Sequence, residues 1–373
     1  MQQWIFFFIF GIFFFTSPSF SQLSFTELNA ANCGECDEYG MGFVCKVDEL
    51  KNLSTLVVNS LYNIKSSLQV DEYIRCQILG RQDSNKQEKL ERYLKEYRYY
   101  IKTTAESFDV PPQLLQCLLL KESVYDEDIG NSTSGAKGLC QMLPITRDHI
   151  NGIISNANLR RSTGKIQKIR SEISAGQVKA VDEDYYATVV KQDNLLEMWN
   201  QNFEKLKQQN RYPLKSIPTA FSNKGLKMPQ NCIAGAGLYF REIMTHLNFN
   251  FSDTSMEEII SGAADGSDTV AAINLMLILG AAYNAGPGTV NKFIKTAEKP
   301  LTLASVVKAL ENSKNGQMKG YMKSLRNCLT AENFDPPNGW YNKGGMAPPT
   351  CEEEKQNAKG LDLTPTKYWL WQK

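Results

Sequence analysis

The stretch from Asp109 to Thr146, DVPPQLLQCLLLKESVYDEDIGNSTSGAKGLCQMLPIT, constrains this chain more than any other, because an apolar helix runs out into a polar, glycine-containing loop with one carboxylate at the junction. Pro111 and Pro112 suit the first turn of a helix, where a missing N–H has no intrahelical partner to lose, and Asp109 or the Pro-restricted Val110 marks its start. Leu114, Leu115, Cys117, Leu118, Leu119 and Leu120 then give a helix that is apolar all round, which is the pattern of a buried one. Lys121, Glu122 and Ser123 follow where such a rod reaches a surface or a cleft. At that C-terminal end the helix macrodipole and the apolar neighbours both disfavour an ionised carboxyl, so Glu122 has the surroundings of a proton donor.

Composition narrows the class. With 42% hydrophobic and 22% charged residues among 373, the chain is an ordinary core-forming protein, long enough for two domains. A formal net charge of +1 gives no broad attraction to nucleic acid. The apolar run Trp4 to Phe15 is too short to span a bilayer, and Ser19 and Ser21 fit a signal-peptidase site, so residues 1–21 are expected to be a signal peptide and the mature chain to be exported, to a periplasm or the extracellular space, with no membrane span left after cleavage. An uncleaved anchor is the alternative, since the first residues carry no Lys or Arg.

Nine cysteines remain after that cleavage, and in an oxidising compartment they imply disulfides with at least one thiol left over. Cys33, Cys36, Cys45 and Cys76 crowd the start of the mature chain and are the expected participants, with a redox dithiol or a four-thiolate zinc site as alternatives. Cys117, on the apolar helix, and Cys140, beside Gln141, are read as buried apolar thiols, and Cys328 and Cys351 as a pin for the tail. His149 and His246 are the only histidines, too few and too far apart in sequence for a ligand cluster, so neither metal nor cofactor is expected.

Along the chain, residues 22–85 form a Cys-rich N-terminal region with a plausible helix from Val47 to Ile64. Leu90, Tyr93, Leu94, Tyr97, Tyr100 and Ile101 recur at helical spacing and read as a packing stripe. From about residue 150 to 228 the middle carries Leu196, Trp199, Phe203 and Leu206 on one helical face between polar, Gly- and Pro-punctuated edges. Asp268 to Gly280 is another buried helix, leading into Ala282-Tyr283-Asn284-Ala285-Gly286-Pro287-Gly288, whose last two glycines also fit a plain helix cap and turn. A tail, 329–373, is rich in Pro, Gly and aromatics, including Trp340 and Trp369.

Four blocks of this sequence, in order, resemble the soluble lytic transglycosylase family: Glu122-Ser123 at the end of a Leu-rich helix; Ser132-Thr-Ser-Gly-Ala-Lys-Gly138-Leu-Cys-Gln141; Asn231-Cys-Ile-Ala-Gly235; and Ala282-Tyr283-Asn284-Ala285-Gly286. The resemblance covers about residues 100–328. It implies a mainly α protein with a lysozyme-like helical catalytic domain, residues 86–328, interrupted by a helical insertion at about 150–228 that serves as a lid, a glycan-binding wall or a decorative hairpin, and flanked by the Cys-rich region and an irregular C-terminal tail. It implies cleavage of peptidoglycan glycan strands with Glu122 as the catalytic acid and base. Ser123, Ser132, Gln141, Tyr283, Asn284 and Tyr321 are the implied substrate-binding residues, Tyr283 and Tyr321 lining the site around Glu122. The chain departs from the family where Gln317-Met318-Lys319 replaces a Glu-Thr-Arg, which removes the family's second glutamate. Two other readings stay open: a goose-type lysozyme, in which Asp126, Glu127 or Asp128 orders a water, and a non-catalytic peptidoglycan-binding protein.

Overall fold

The computed structural model describes residues 67–330, apart from 82, 131–132, 180–181, 212–217, 219–221, 223, 248–267 and 300. The expected signal peptide, the Val47–Ile64 helix, Cys33, Cys36, Cys45, Cys351, Ser132 and the tail lie outside the described residues. Among the described residues the protein is helical, with no strand beyond isolated bridges. In chain order the helices are α1 (Ser67–Leu79), α2 (Lys86–Arg92), α3 (Arg98–Phe108), α4 (Pro112–Ser123), α5 (Pro144–Ser162), α6 (Lys165–Ser174), α7 (Glu183–Gln208), α8 (Pro229–His246), α9 (Asp268–Ala285), α10 (Pro287–Thr296), α11 (Leu303–Glu311) and α12 (Gly316–Thr330). None of the described helices is long and apolar enough to cross a membrane.

The core is built around α4 and α9. In α4, Leu114, Leu115, Cys117, Leu118 and Leu119 are fully buried, and in α9 so are Leu277, Ile278, Leu279, Ala281 and Ala282. At about 1.5–3 kcal/mol per buried aliphatic side chain, this apolar burial is what holds α4 in place. Helices α1, α3 and α12 pack on α4, and α8, α10, α11 and α12 pack on α9. The approach of α9 to α12 depends on Gly280, where a Cβ would collide with Leu325. Helix α1 joins this same core through Val70, Ile74 and Ile78.

The expected packing stripe is real, but its polar tips also have work. Between α2 and α3 lies a five-residue π-helical turn, Tyr93–Tyr97. Tyr93 and Tyr97 are fully buried, and Tyr93 Oη donates to Asp71 at 2.6 Å while Tyr97 Oη donates to Glu127 at 3.1 Å. Their rings flank Tyr125, with centroids 4.6 and 6.0 Å from it.

The middle segment differs from expectation. Helix α7 places Leu196, Trp199, Phe203 and Leu206 fully in the core, against α3, α5 and α8. An aromatic and aliphatic face of that width has more apolar area than a surface hairpin can cover, and it finds its partners in the main core. Only α6 stands apart, with Ile166 and Ile169 forming a small separate cluster with Val189.

Two cysteine pairs correct the reading of buried free thiols. Cys117 on α4 and Cys328 on α12 are at disulfide-bonding distance with Cα atoms 5.7 Å apart, as are Cys140 and Cys232 on α8, 6.0 Å apart. Cys76 on α1 is also disulfide-bonded. The two pairs span 211 and 92 residues, and on chain-entropy reasoning each closure restricts the unfolded chain by about 5 kcal/mol. Burial alone signalled an apolar role for Cys117 and Cys140; what sequence spacing does not carry is which distant helix each one meets.

Candidate active site

Glu122 lies in the last turn of α4, and the chain leaves that helix under strain. Val124 and Tyr125 both adopt positive φ, 50° and 60°, a region that costs a non-glycine residue about 1–2 kcal/mol. A β-branched residue there is especially unusual. Burial of Tyr125 between Tyr93 and Tyr97, together with a 2.9 Å hydrogen bond from its hydroxyl to the Gln116 carbonyl, offsets that strain. The sharp exit keeps the last turn of α4 uncovered by its own continuing chain.

The loop that follows is folded back by isolated bridges, Gly130 to Lys137 and Lys137 to Met142. Gly138, at φ 71°, presses on α8's approach: a Cβ there would collide with the Leu226 carbonyl. Gln141 is the third non-glycine residue of this segment at positive φ, 43°, and its side-chain amide nitrogen donates to the carbonyls of Gly138 and Ile129 at 3.0 and 3.1 Å. Gln141 therefore staples the loop. Tyr283 Oη donates to the Cys140 carbonyl at 2.9 Å and ties the same loop to α9. Helix α9 continues through Ala285, so Tyr283 and the half-buried Asn284 stand on its final turn rather than in the tight exit that the glycines suggested. Ser123 is buried, and its hydroxyl donates to the Leu119 carbonyl at 3.0 Å.

Burial and two neighbouring groups act on the Glu122 carboxyl. Burial pushes its pKa up to about 7, opposed by the Tyr321 hydroxyl and by Lys121. Tyr321 is 4% exposed, and its hydroxyl faces Glu122 without reaching well-formed hydrogen-bond geometry; it has no other hydrogen-bond partner among the described residues. The Tyr321 ring also lies 5.9 Å from the Lys121 ammonium, whose own pKa burial lowers. Burial and the Glu122 charge hold the Tyr283 and Tyr321 hydroxyls protonated, each well above the usual tyrosine value. Glu122, Tyr283 and Tyr321, from three separate helices, are thus brought together.

The acidic loop beside Glu122 is otherwise engaged. Asp126 pairs with Lys89 at 2.9 Å, Glu127 pairs with Arg92 and accepts from Tyr97, and Asp128 lies 3.5 Å from Lys227. These acids line a polar hollow with Lys89, Arg92 and Tyr125, and Glu122 is not part of it. No carboxylate among the described residues acts on Glu122.

A second polar cluster escaped sequence reasoning. The two histidines, remote in sequence, converge on Glu242 of α8: His149 Nε2 lies 2.6 Å from one carboxylate oxygen and His246 Nε2 3.3 Å from the other. Lys191 of α7 stands 3.4 Å from His246 Nε2 and donates to Thr245 at 3.0 Å. The i,i+4 spacing of Glu242 and His246 was the one available signal. Among the described residues no group of His, Cys, Asp and Glu is arranged to hold a metal ion.

Compared with protein-family models, curated proteins and solved structures, the chain finds no match. The functional reading therefore rests on the site itself.

Proposed function

We propose that this protein is a peptidoglycan lytic transglycosylase with a lysozyme-like catalytic domain, in which Glu122 performs both proton transfers. The observation that carries this reading is a single half-buried carboxyl, with its pKa raised to about 7, whose charge is felt by the protonated Tyr283 and Tyr321 hydroxyls. An ordinary glycosidase needs a second carboxylate to activate water or attack the sugar. Here the neighbouring acids are held in ion pairs with Lys89, Arg92 and Lys227. A transglycosylase needs no second carboxylate, since the 6-hydroxyl of the N-acetylmuramic acid residue attacks its own anomeric carbon.

In that reaction protonated Glu122 gives its proton to the oxygen of the β-1,4 bond between N-acetylmuramic acid and N-acetylglucosamine. The C1–O bond breaks, the 6-oxygen bonds to C1, and the Glu122 carboxylate takes the proton released by the 6-hydroxyl. The products are a free 4-hydroxyl on one fragment and a 1,6-anhydromuramyl end on the other. The hydroxyl oxygens of Tyr283 and Tyr321 supply electron density toward the positive charge that develops on the ring, and the Gln141-stapled loop forms one wall. Because the acid form of Glu122 starts the reaction, activity falls as pH rises through about 7.

The test is digestion of purified sacculi in heavy-oxygen water, read by mass spectrometry. Anhydromuramyl ends free of the label are expected. Reducing ends carrying the label establish a water-using hydrolase instead, and no cleavage at all leaves a binding protein.

A further inference from the structure

The two described disulfides do not lie at random with respect to Glu122. Cys117 is on α4, five residues before Glu122, and Cys328 is on α12, seven residues after Tyr321, so this bridge joins the two helices whose meeting buries the carboxyl. Cys140 immediately precedes Gln141 and offers its carbonyl to Tyr283, and Cys232 follows Asn231 at the start of α8. The second bridge therefore fixes the other wall. All four cysteines are at most 2% exposed. The elements they join have unequal anchorage without them. Helix α12 keeps Met318, Met322, Leu325 and Leu329 in the core, whereas the loop before Leu143 is anchored at its two ends, by Val124 and Tyr125 and by Leu139, Cys140 and Met142, and holds Val124, Tyr125 and Gln141 at positive φ, with Ala136 the only side chain buried among the described residues between those ends.

We propose that the Cys117–Cys328 and Cys140–Cys232 bridges are positioning devices that assemble the active site, so that the chain folds but stays incompetent while reduced and becomes competent on oxidation, in one direction because the formed bridges are shielded from reductant. This rests on the transglycosylase reading and adds its regulation: a glycan-cleaving enzyme inactive in the reducing compartment where it is made. Each bridge forms when two cysteine thiols pass two electrons and two protons to an acceptor disulfide, which leaves as two thiols. Without the bridges the core remains, but α4, α12 and the loop no longer hold Glu122 in its dry setting, and its proton affinity relaxes toward that of an ordinary glutamate.

The experiment compares the mature chain refolded with glutathione disulfide, the same chain refolded with a phosphine reductant, and the paired variants Cys117→Ala/Cys328→Ala and Cys140→Ala/Cys232→Ala. Three readouts are taken: helical circular dichroism, cleavage of soluble glycan oligomers, and the titration of Glu122 by carboxyl-labelled NMR, assigned with Glu122→Gln. The expected result is native helicity throughout. The reduced chain should lose at least a hundredfold in activity and regain it on adding glutathione disulfide. Cys117→Ala/Cys328→Ala should lower kcat and move the Glu122 titration down by a full pH unit or more, and Cys140→Ala/Cys232→Ala should chiefly raise KM. Addition of the reductant to the oxidised, folded chain should leave activity intact. Equal activity and an unmoved Glu122 titration in the reduced chain, or in both variants should the reduced chain fail to fold, overturn the proposal. An oxidised chain that cleaves no glycan defeats the transglycosylase reading alone, because the Glu122 titration still reports whether the bridges position it.

Discussion

Glu122, half-buried, and Glu242, buried, both lie near the ends of helices, and their environments drive them in opposite directions. Glu122 meets apolar packing, one partly formed contact from Tyr321 and a single nearby cation, and burial wins: its pKa rises to about 7. Glu242, 3% exposed, meets His149, His246 and Lys191, and although burial is the largest single influence the three partners together overcome it, lowering its pKa to about 2. Burial sets the stakes, and the count and placement of cations decide the sign. One carboxyl is thereby a proton donor near neutral pH and the other a permanent anion that clamps α5, α7 and α8 together.

The largest effect expected from breaking this contrast is on turnover. Glu122→Gln keeps size and packing but can neither donate nor accept the proton in question, so cleavage should fall by at least a thousandfold while the fold persists. The same change should stabilise the protein. A carboxyl whose folded pKa is raised binds its proton more tightly folded than unfolded, so it costs stability as pH climbs from the ordinary carboxylate range through about 7. Chemical denaturation at pH 8 should show a gain on the order of 2 kcal/mol. Activity surviving in Glu122→Gln would remove the assignment.

Glu242→Gln should do the reverse. Loss of the anion leaves Lys191 and both imidazoles facing one another, and denaturation near pH 6 should show a loss of about 3 kcal/mol, with glycan cleavage per folded molecule little changed. The pH dependence sharpens the point. The depressed Glu242 contributes stability that is present above the ordinary carboxylate range and lost as pH falls toward about 2, and His149, raised by Glu242, contributes stability that is present below the ordinary histidine range and lost as pH rises through its folded value. The clamp is therefore strongest between roughly pH 5 and 6.5. A stability profile of Glu242→Gln parallel to that of the wild type would contradict it.

How much of this contrast was legible in the sequence differs between its two halves. The Glu122 end was readable because it is local: Pro111-Pro112, the leucine run and the glycine loop announce a buried helix and its exit within fewer than forty positions. The Leu196, Trp199, Phe203 and Leu206 face was readable for the same reason, through periodicity, though periodicity does not say that α7 joins the main core. The Glu242 clamp was not readable, because His149 and Glu242 meet only through the packing of α5 on α8. The same holds for Cys117 with Cys328 and Cys140 with Cys232. Ser123 and Gln141 carry a further lesson: the side chains that their place in a motif singled out also hold the helix end and the loop, through hydrogen bonds that the motif does not announce.

A smaller effect is expected at Tyr321. Its hydroxyl favours the ionised form of Glu122, so Tyr321→Phe should raise the Glu122 pKa further and move the alkaline limb of the activity profile to higher pH by a few tenths. Turnover should fall about tenfold, the worth of one lost polar contact of 1–1.5 kcal/mol. A limb that moves toward acid would mean that the hydroxyl acts on Glu122 in the opposite sense.

The most direct measurement is a titration of both glutamates in one sample, by carbon NMR of protein labelled at the glutamate carboxyls, with Glu122→Gln and Glu242→Gln supplying the assignments. One carboxyl resonance is expected to titrate near pH 7 and to disappear in Glu122→Gln, and another to stay ionised down to about pH 3 and to disappear in Glu242→Gln. A Glu122 resonance that titrates with the exposed glutamates, between about pH 4 and 5, would contradict the claim that this carboxyl is kept as an acid for catalysis.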